Sequence, residues 1–120
     1  MLDAQYLIKN GIDYNAAVER CVGNAGLDER KLLRFAEELP GRVDELLAAY
    51  DARDYTAVHD IAHDLKGSGG NLSITGVYNS SIKLLEIVRA EEYDELEAAI
   101  GYFGAVCRDA AAVIKKAHSL

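Results

Sequence analysis

Apolar residues recur at intervals of three and four along most of this chain, which is the spacing of one face of an α-helix. No segment alternates apolar and polar residues over a useful length, so strands are not expected. The chain is therefore predicted to be all-α. Two apolar series are the longest: Leu32, Ala36, Leu39, Val43, Leu46 and Tyr50 in one segment, and Leu96, Ile100, Phe103, Cys107, Ala110, Ile114 and Ala117 in the last.

Side chains that accept hydrogen bonds at helix N-termini predict where these helices begin. Asp28 and Asp54 are expected to open two long helices, and Thr75 is expected to cap the next one. The last helix runs from about Tyr93 to Ala117. A short helix precedes them all, from Asp13 to near Gly23, with one apolar side formed by Ala17, Val18, Cys21 and Val22.

The apolar phase of the first long helix runs straight through Pro40, which predicts either one kinked helix or two coaxial ones. Four long amphipathic helices with short connections predict an antiparallel four-helix bundle. One or two additional short helices are expected at its N-terminus. Residues 1–120 are expected to form a single domain without an internal repeat.

Charge and composition narrow the class of partner. The chain has 20 acidic and 13 basic residues and a net charge of −7. Since no basic stripe is visible, proteins are expected as partners rather than nucleic acid.

No apolar run has the length of a membrane span, and the N-terminal stretch lacks the pattern of a signal peptide. Cys21 and Cys107 are unclustered, as in proteins of a reducing compartment. A cytoplasmic location is therefore expected.

The segment HDIAHDLKGSGG, residues 59–70, combines helical periodicity with three glycines. On an ideal helical wheel its neighbourhood has one core-facing side, and His63 lies roughly 140° from that side. The sequence therefore predicts that His63 points to solvent and is not a core histidine. The predicted core side consists of Val58, Ile61, Ala62, Leu65 and Gly69.

The neighbours of His63 suggest phosphoryl chemistry. A neutral imidazole is a good nucleophile towards an activated phosphoryl group, and Lys66, one turn along, is placed to pair with the resulting negative charge. Gly67 and Gly70 follow His63 on the same side, although glycine on a helix surface costs about 1 kcal/mol relative to alanine. Their presence suggests that bulk is excluded beside His63. Each feature alone is common, because exposed histidines are usually ordinary surface residues and glycine clusters often end helices.

Together these residues form AHDLKGSGGNL, which resembles the phosphorylation motif of histidine-containing phosphotransfer (HPt) domains, the four-helix modules of bacterial phosphorelays. The resemblance extends over most of the chain. It implies that His63 is the phosphoacceptor, that Lys66 supports the phosphoryl group and that Gly67 leaves room for a receiver domain. Gly70 matches another small position of the motif. Ser73 departs from the family, in which glycine is common at this place.

The reaction that the resemblance implies is reversible phosphoryl exchange between His63, expected to react through Nε2, and an aspartate of a response-regulator receiver domain. A hybrid histidine kinase is a further expected partner. The chain carries no nucleotide-binding motif, so it is predicted to be a monomeric phosphocarrier and not an ATP-dependent kinase. No intrinsic cofactor is expected, and Mg²⁺ would come with the receiver. Docking is expected on the exposed side of the His63 helix, at Thr56, His59, Asp60, Asp64 and Gly70.

Two alternatives stay open. His59 and His63 are spaced one helical turn apart, as in some metal sites, although zinc usually takes three or four protein ligands. The other reading is a non-catalytic scaffold or interaction module, with the final apolar seam forming a homodimer. A homodimer would not account for the glycines beside His63.

Overall fold

The computed structural model describes residues 2–120, and this part of the chain is helical with no strand. Its only β-type pairing is an isolated bridge between Ile12 and Ile74. None of its helices combines the length and the apolar character that a bilayer span requires. The helices are α1 (Ala4–Lys9), α2 (Tyr14–Arg20), α3 (Ala25–Asp51), α4 (Tyr55–Asn71), α5 (Thr75–Arg89) and α6 (Leu96–Ser119), with a 3-10 turn at Tyr93–Glu95.

Helices α3 to α6 form a four-helix bundle in which each packs against the next and α6 closes against α3. Short connections at residues 52–54, 72–74 and 90–95 reverse the chain each time, so neighbouring helices run antiparallel. The predicted fold class is confirmed, and α1 and α2 are the two additional N-terminal helices. The apolar seams predicted for α3 and α6 line the core, apart from Tyr50, which is half-buried. The largest fully buried core residues include Phe103, Leu39, Leu46, Leu84, Leu96, Ile100 and Ile114.

The predicted caps at Asp13 and Asp54 are confirmed. The Asp13 carboxylate accepts a hydrogen bond from the backbone N–H of Ala16, and the Asp54 carboxylate accepts one from Ala57. Each bond satisfies a backbone donor that has no partner within the first turn of its helix.

Pro40 lies inside one continuous helix, α3. The ring has no N–H to donate to the preceding turn, yet Leu39 and Val43 on either side are both buried in the core. Burial of this apolar face therefore outweighs the missing hydrogen bond. The expectation of a single helix through Pro40 is the correct one of the two.

Other predicted boundaries were displaced. Helix α3 begins at Ala25 with Asn24 as its cap, so Asp28 does not open it and is instead buried in its first turn. Ile74 occupies the cap position that was expected for Thr75. Val22 is the clearest error, because α2 ends at Arg20 and Val22 is 95% exposed in a left-handed backbone conformation.

The N-terminal segment closes the end of the bundle where α4 turns into α5. Backbone hydrogen bonds join Asp13 to Ser73 and Thr75 to Gly11, on either side of the Ile12–Ile74 bridge. A further one runs from the Asp3 N–H to the carbonyl of Ala117 near the end of α6. These bonds hold the turn that follows α4 and so fix where its exposed face ends.

Candidate functional site

His63 lies near the middle of α4 with its side chain exposed. The helix stays regular on both sides, and its opposite face is buried against the bundle through Val58, Ala62, Leu65 and Gly69. This rigid attachment holds the histidine on the outer surface, as its position on the wheel predicts. The imidazole therefore faces solvent and not the interior.

The three glycines that follow His63 have different surroundings. A Cβ added at Gly67 would meet no atom within 4 Å, so nothing in the described residues requires glycine there. At Gly69 it would lie 2.9 Å from Val77 Cγ1, and at Gly70 it would lie 3.1 Å from Tyr78 Cδ1. Gly69 and Gly70 therefore allow α5 to approach α4 closely. Only Gly67 keeps free space open on the surface beside His63.

Lys66 is half-buried one turn after His63. Among residues 2–120, no carboxylate lies within ion-pair distance of its ammonium group. Thr56 is exposed two turns before His63 on the same side of the helix. The side of α4 around His63 thus presents a nucleophile, a cation without a competing partner and open space.

Both acidic residues next to His63 are paired with basic groups. Asp60 Oδ1 lies 3.2 Å from His59 Nδ1, and Asp64 Oδ2 lies 3.2 Å from Arg42 Nη2 on α3. The carboxylates themselves are largely exposed, so the pairs are weak. The Arg42 guanidinium nevertheless offsets part of the negative charge around His63.

The sequence pattern does not single out Arg42 or Tyr78. Arg42 lies on α3 at the edge of the buried face, where a long side chain reaches across to the neighbouring helix. The sequence shows that Arg42 lies next to Val43 in the apolar seam. The positions of α3 and α4 along their axes decide which residue Arg42 contacts. Tyr78 is partly exposed and packs over Gly70.

Comparison with known families decides the class of protein. Residues 32–113 match the family model described as Hpt domain, which is more than half of the chain. The chain belongs to the Hpt domain family. No curated protein and no solved structure matches the chain. The matched range contains His63, Lys66 and Gly67, whereas α1 and α2 lie outside it.

Hpt domains are phosphocarriers of two-component relays and not kinases. In this Hpt domain the His63 side chain is exposed, so another protein can reach the imidazole from outside. A cavity of about 520 Å³ lies elsewhere, at the end of α4, lined by Arg20, Gly70, Ser73 and Tyr78 among others.

The alternative of a metal site gains no support from the structure. Within residues 2–120, no group of three or more His, Cys, Asp or Glu side chains is arranged to hold a metal ion. His59 instead makes its contact with Asp60, and its ring lies parallel to that of His63.

Proposed function

We propose that this Hpt domain carries a phosphoryl group on His63 between aspartates of receiver domains in a multistep phosphorelay. The observation that carries the proposal is the free space at Gly67 directly beside the exposed His63 side chain. Glycine has a cost on an exposed helix surface, and no contact within the described chain explains it. Access for a second protein does explain it.

The proposed step is a direct exchange. The Nε2 lone pair of neutral His63 attacks the phosphorus of a receiver aspartyl phosphate, the N–P bond forms as the O–P bond breaks, and the aspartate carboxylate leaves. Lys66 then pairs with the oxygens of the phosphoryl group, which carries nearly two negative charges. The reverse step returns the group to the carboxylate of another receiver. Positioning and charge neutralisation supply most of the catalysis in such a transfer.

The partner side of the reaction belongs to the proposal as well. Receiver domains, including one attached to a hybrid histidine kinase, would dock on the exposed side of α4 around Thr56, His59, Asp60 and Asp64. Mg²⁺ is assigned to the receiver, in keeping with the family resemblance. The carrier is expected to act as a monomer in the cytoplasm.

The test is phosphoryl transfer from a panel of phosphorylated receiver domains to the wild-type chain and to His63→Gln. His118→Gln is the matched control, because His118 is exposed near the end of α6, away from α4. Acid-labile, base-stable label on the wild type and on His118→Gln, but not on His63→Gln, is expected. Label that persists on His63→Gln, or folded wild-type protein that accepts none from a complete cognate set, contradicts the proposal.

A further inference from the structure

A second histidine lies one turn before His63 on the same helix. The imidazole rings of His59 and His63 are nearly parallel, with 5° between their planes and 6.1 Å between their centroids. The His59 side chain is 33% exposed, and its Nδ1 lies 3.2 Å from Asp60 Oδ1. Since a carboxylate accepts at Nδ1, the proton of the neutral ring is assigned to that nitrogen. Nε2 of His59 is then the atom free to bind something else.

His59 and Lys66 lie on the same side of His63. On the α4 wheel they are about 40° and about 60° from His63, both towards α5, and both are half-buried. That this side faces α5 follows from Gly69 and Gly70, which contact α5 directly. A phosphoryl group on His63 would therefore be flanked by His59 before it and Lys66 after it.

The charged groups around His59 come from its own helix and from the elements packed beside it. On its own helix they are Asp60, which it contacts, and the side chains of Asp64 and Lys66 further along. Within residues 2–120, Asp60 is the only carboxylate within ion-pair distance of His59. Helix α5, which packs against this side, contributes the exposed charges of Lys83, Glu86 and Arg89. The Tyr55 and Tyr93 rings are stacked 3.8 Å apart, and this contact brings the exposed carboxylates of the 3-10 turn, Glu92, Asp94 and Glu95, to the start of α4.

We propose that His59, in its protonated form, is a positioning residue that supports the phosphoryl group on His63 from the turn before it, as Lys66 does from the turn after it. The inference rests on the proposed function. Asp60 holds the ring at Nδ1, and Nε2–H of the protonated ring donates to a phosphoryl oxygen. Pairing the oxygens with a cation reduces the electron density that expels the imidazole, so the N–P bond breaks more slowly. Only the imidazolium form offers an N–H at Nε2 while Nδ1–H donates to Asp60, so this support weakens as pH rises.

The test measures the lifetime of the phosphorylated chain after loading with phosphoramidate, a small donor that needs no partner protein. Lifetimes are followed by phosphorus NMR at about pH 6 and about pH 8.5, where the imidazolium form is more and less populated, respectively. His59→Gln is expected to shorten the lifetime about two- to fivefold at the lower pH, the range for partly exposed charge pairs. At the higher pH it should match the wild type. The ratio of the two lifetimes at each pH cancels the intrinsic acid lability of phosphohistidine, because both proteins share it.

Two further variants separate charge from packing. His59→Lys keeps a positive charge at both pH values, so it should give a long lifetime at both and lose the pH dependence of the ratio. Asp60→Asn leaves His59 in place without its carboxylate. It should shorten the lifetime less than His59→Gln does, and again more at the lower pH than at the higher. Asp60→Asn also replaces His59→Gln as the test variant if His59→Gln does not fold. His118→Gln is expected to behave as the wild type.

The outcomes distinguish this inference from the function on which it rests. If His59→Gln accepts the phosphoryl group and its lifetime equals that of the wild type at both pH values, or is reduced equally at both, the role of His59 is overturned and the carrier function stands. If the wild-type chain is not phosphorylated on His63 at all, the carrier function fails and this inference fails with it.

Discussion

Arg42 on α3 and Asp64 on α4 form an ion pair between Nη2 and Oδ2 at 3.2 Å, directly beside the residue proposed to carry the phosphoryl group. The same guanidinium donates through Nη1 to Glu45 at 2.8 Å. A cation on one helix is thus shared by two carboxylates on two helices. Helix α3 therefore contributes to the surface around His63, and a partner that docks there meets Arg42 as well as α4.

Arg42→Ala tests this contribution. Asp64 and Glu45 lose their cation, and the added negative potential beside His63 opposes the approach of an anionic phosphorylated receiver. We expect transfer to slow several-fold at low salt, mainly through a higher KM, and the difference to shrink as salt increases. The free energy of unfolding should fall by less than about 1 kcal/mol, because the pair is exposed. Transfer kinetics at two salt concentrations and urea denaturation measure both effects.

Asp64→Asn is the matched control, since it removes negative charge at the same place and should leave transfer unchanged or faster. Equal transfer rates for Arg42→Ala and the wild type at low salt would show that α3 lies outside the docked surface.

Gly67 and Gly69 differ in what an added methyl group would meet, which allows access to be separated from stability. At Gly67 the Cβ enters open space, so Gly67→Ala should stabilise the helix by about 0.5–1 kcal/mol. Transfer from a receiver should nevertheless slow, because the methyl group occupies the space beside His63. Phosphorylation by phosphoramidate should be little affected, since a small donor does not need that space.

Gly69→Ala should lower the stability of the fold and leave the space beside His63 open. Its Cβ would lie 2.9 Å from Val77 Cγ1 and 3.2 Å from the backbone nitrogen of Tyr78, which cannot move independently of α5. Overpacking of this kind costs about 1–3 kcal/mol. Thermal denaturation distinguishes the two variants, and an unstable Gly67→Ala with normal transfer would contradict the assignment of Gly67 to partner access.

The two cysteines should differ in reactivity. Cys107 is buried on α6, and burial raises the pKa of its thiol to about 12, so very little thiolate forms near neutral pH. Cys21 is half-buried at the end of α2, and both thiols are free. We expect a maleimide or a disulfide reagent to label one thiol per native chain and two after denaturation. Cys21→Ser should abolish native labelling, and native labelling of Cys107 would contradict the buried position.

The bundle and the exposed position of His63 could be predicted because they depend on spacing within a helix. The seam through Leu39 and Val43, for example, identifies the buried face of α3 whatever that face packs against. Burial of the seam also explains why α3 continues through Pro40, but the sequence alone left two possibilities there. Local preference and tertiary packing compete at a proline, and only the packed structure shows which prevails.

Predicted helix boundaries were wrong where two residues that favour the cap position lie within a few residues of each other. Asn24 and Asp28 are both good cap residues, and Asn24 is the one whose side chain bonds the first turn of α3. Val22 fits the apolar side of a longer α2 on a wheel, but a wheel assumes that the helix continues. The helix ends at Arg20, and the left-handed backbone at Val22 turns the chain away.

Contacts between elements lay beyond sequence reasoning. The Arg42–Asp64 pair depends on how α3 and α4 are set along their axes, which no spacing within one helix determines. The same holds for the surroundings of Gly67 and Gly70, which look alike on the α4 wheel. Only the position of Tyr78 on α5 shows that Gly70 serves packing inside the chain.

Asp28 makes the stability of the fold depend on pH. Its side chain is fully buried in the first turn of α3, and within residues 2–120 neither carboxylate oxygen has a hydrogen-bond partner. Burial, with a smaller contribution from the charge of Glu29, raises the pKa of Asp28 from 3.8 to about 6. The folded chain therefore holds this proton at pH values where the unfolded chain has already lost it.

The sign of the effect follows from this difference. Between about pH 4 and about pH 6 the unfolded state binds fewer protons at Asp28 than the folded state, so this residue's contribution to stability is lost as pH rises through that window. Asp28→Asn cannot ionise. Its unfolding free energy, minus that of the wild type, should increase across the window by on the order of 2–3 kcal/mol. Urea denaturation at several pH values measures this difference, and one that stays constant from pH 4 to pH 7 would show that Asp28 does not hold its proton in the fold.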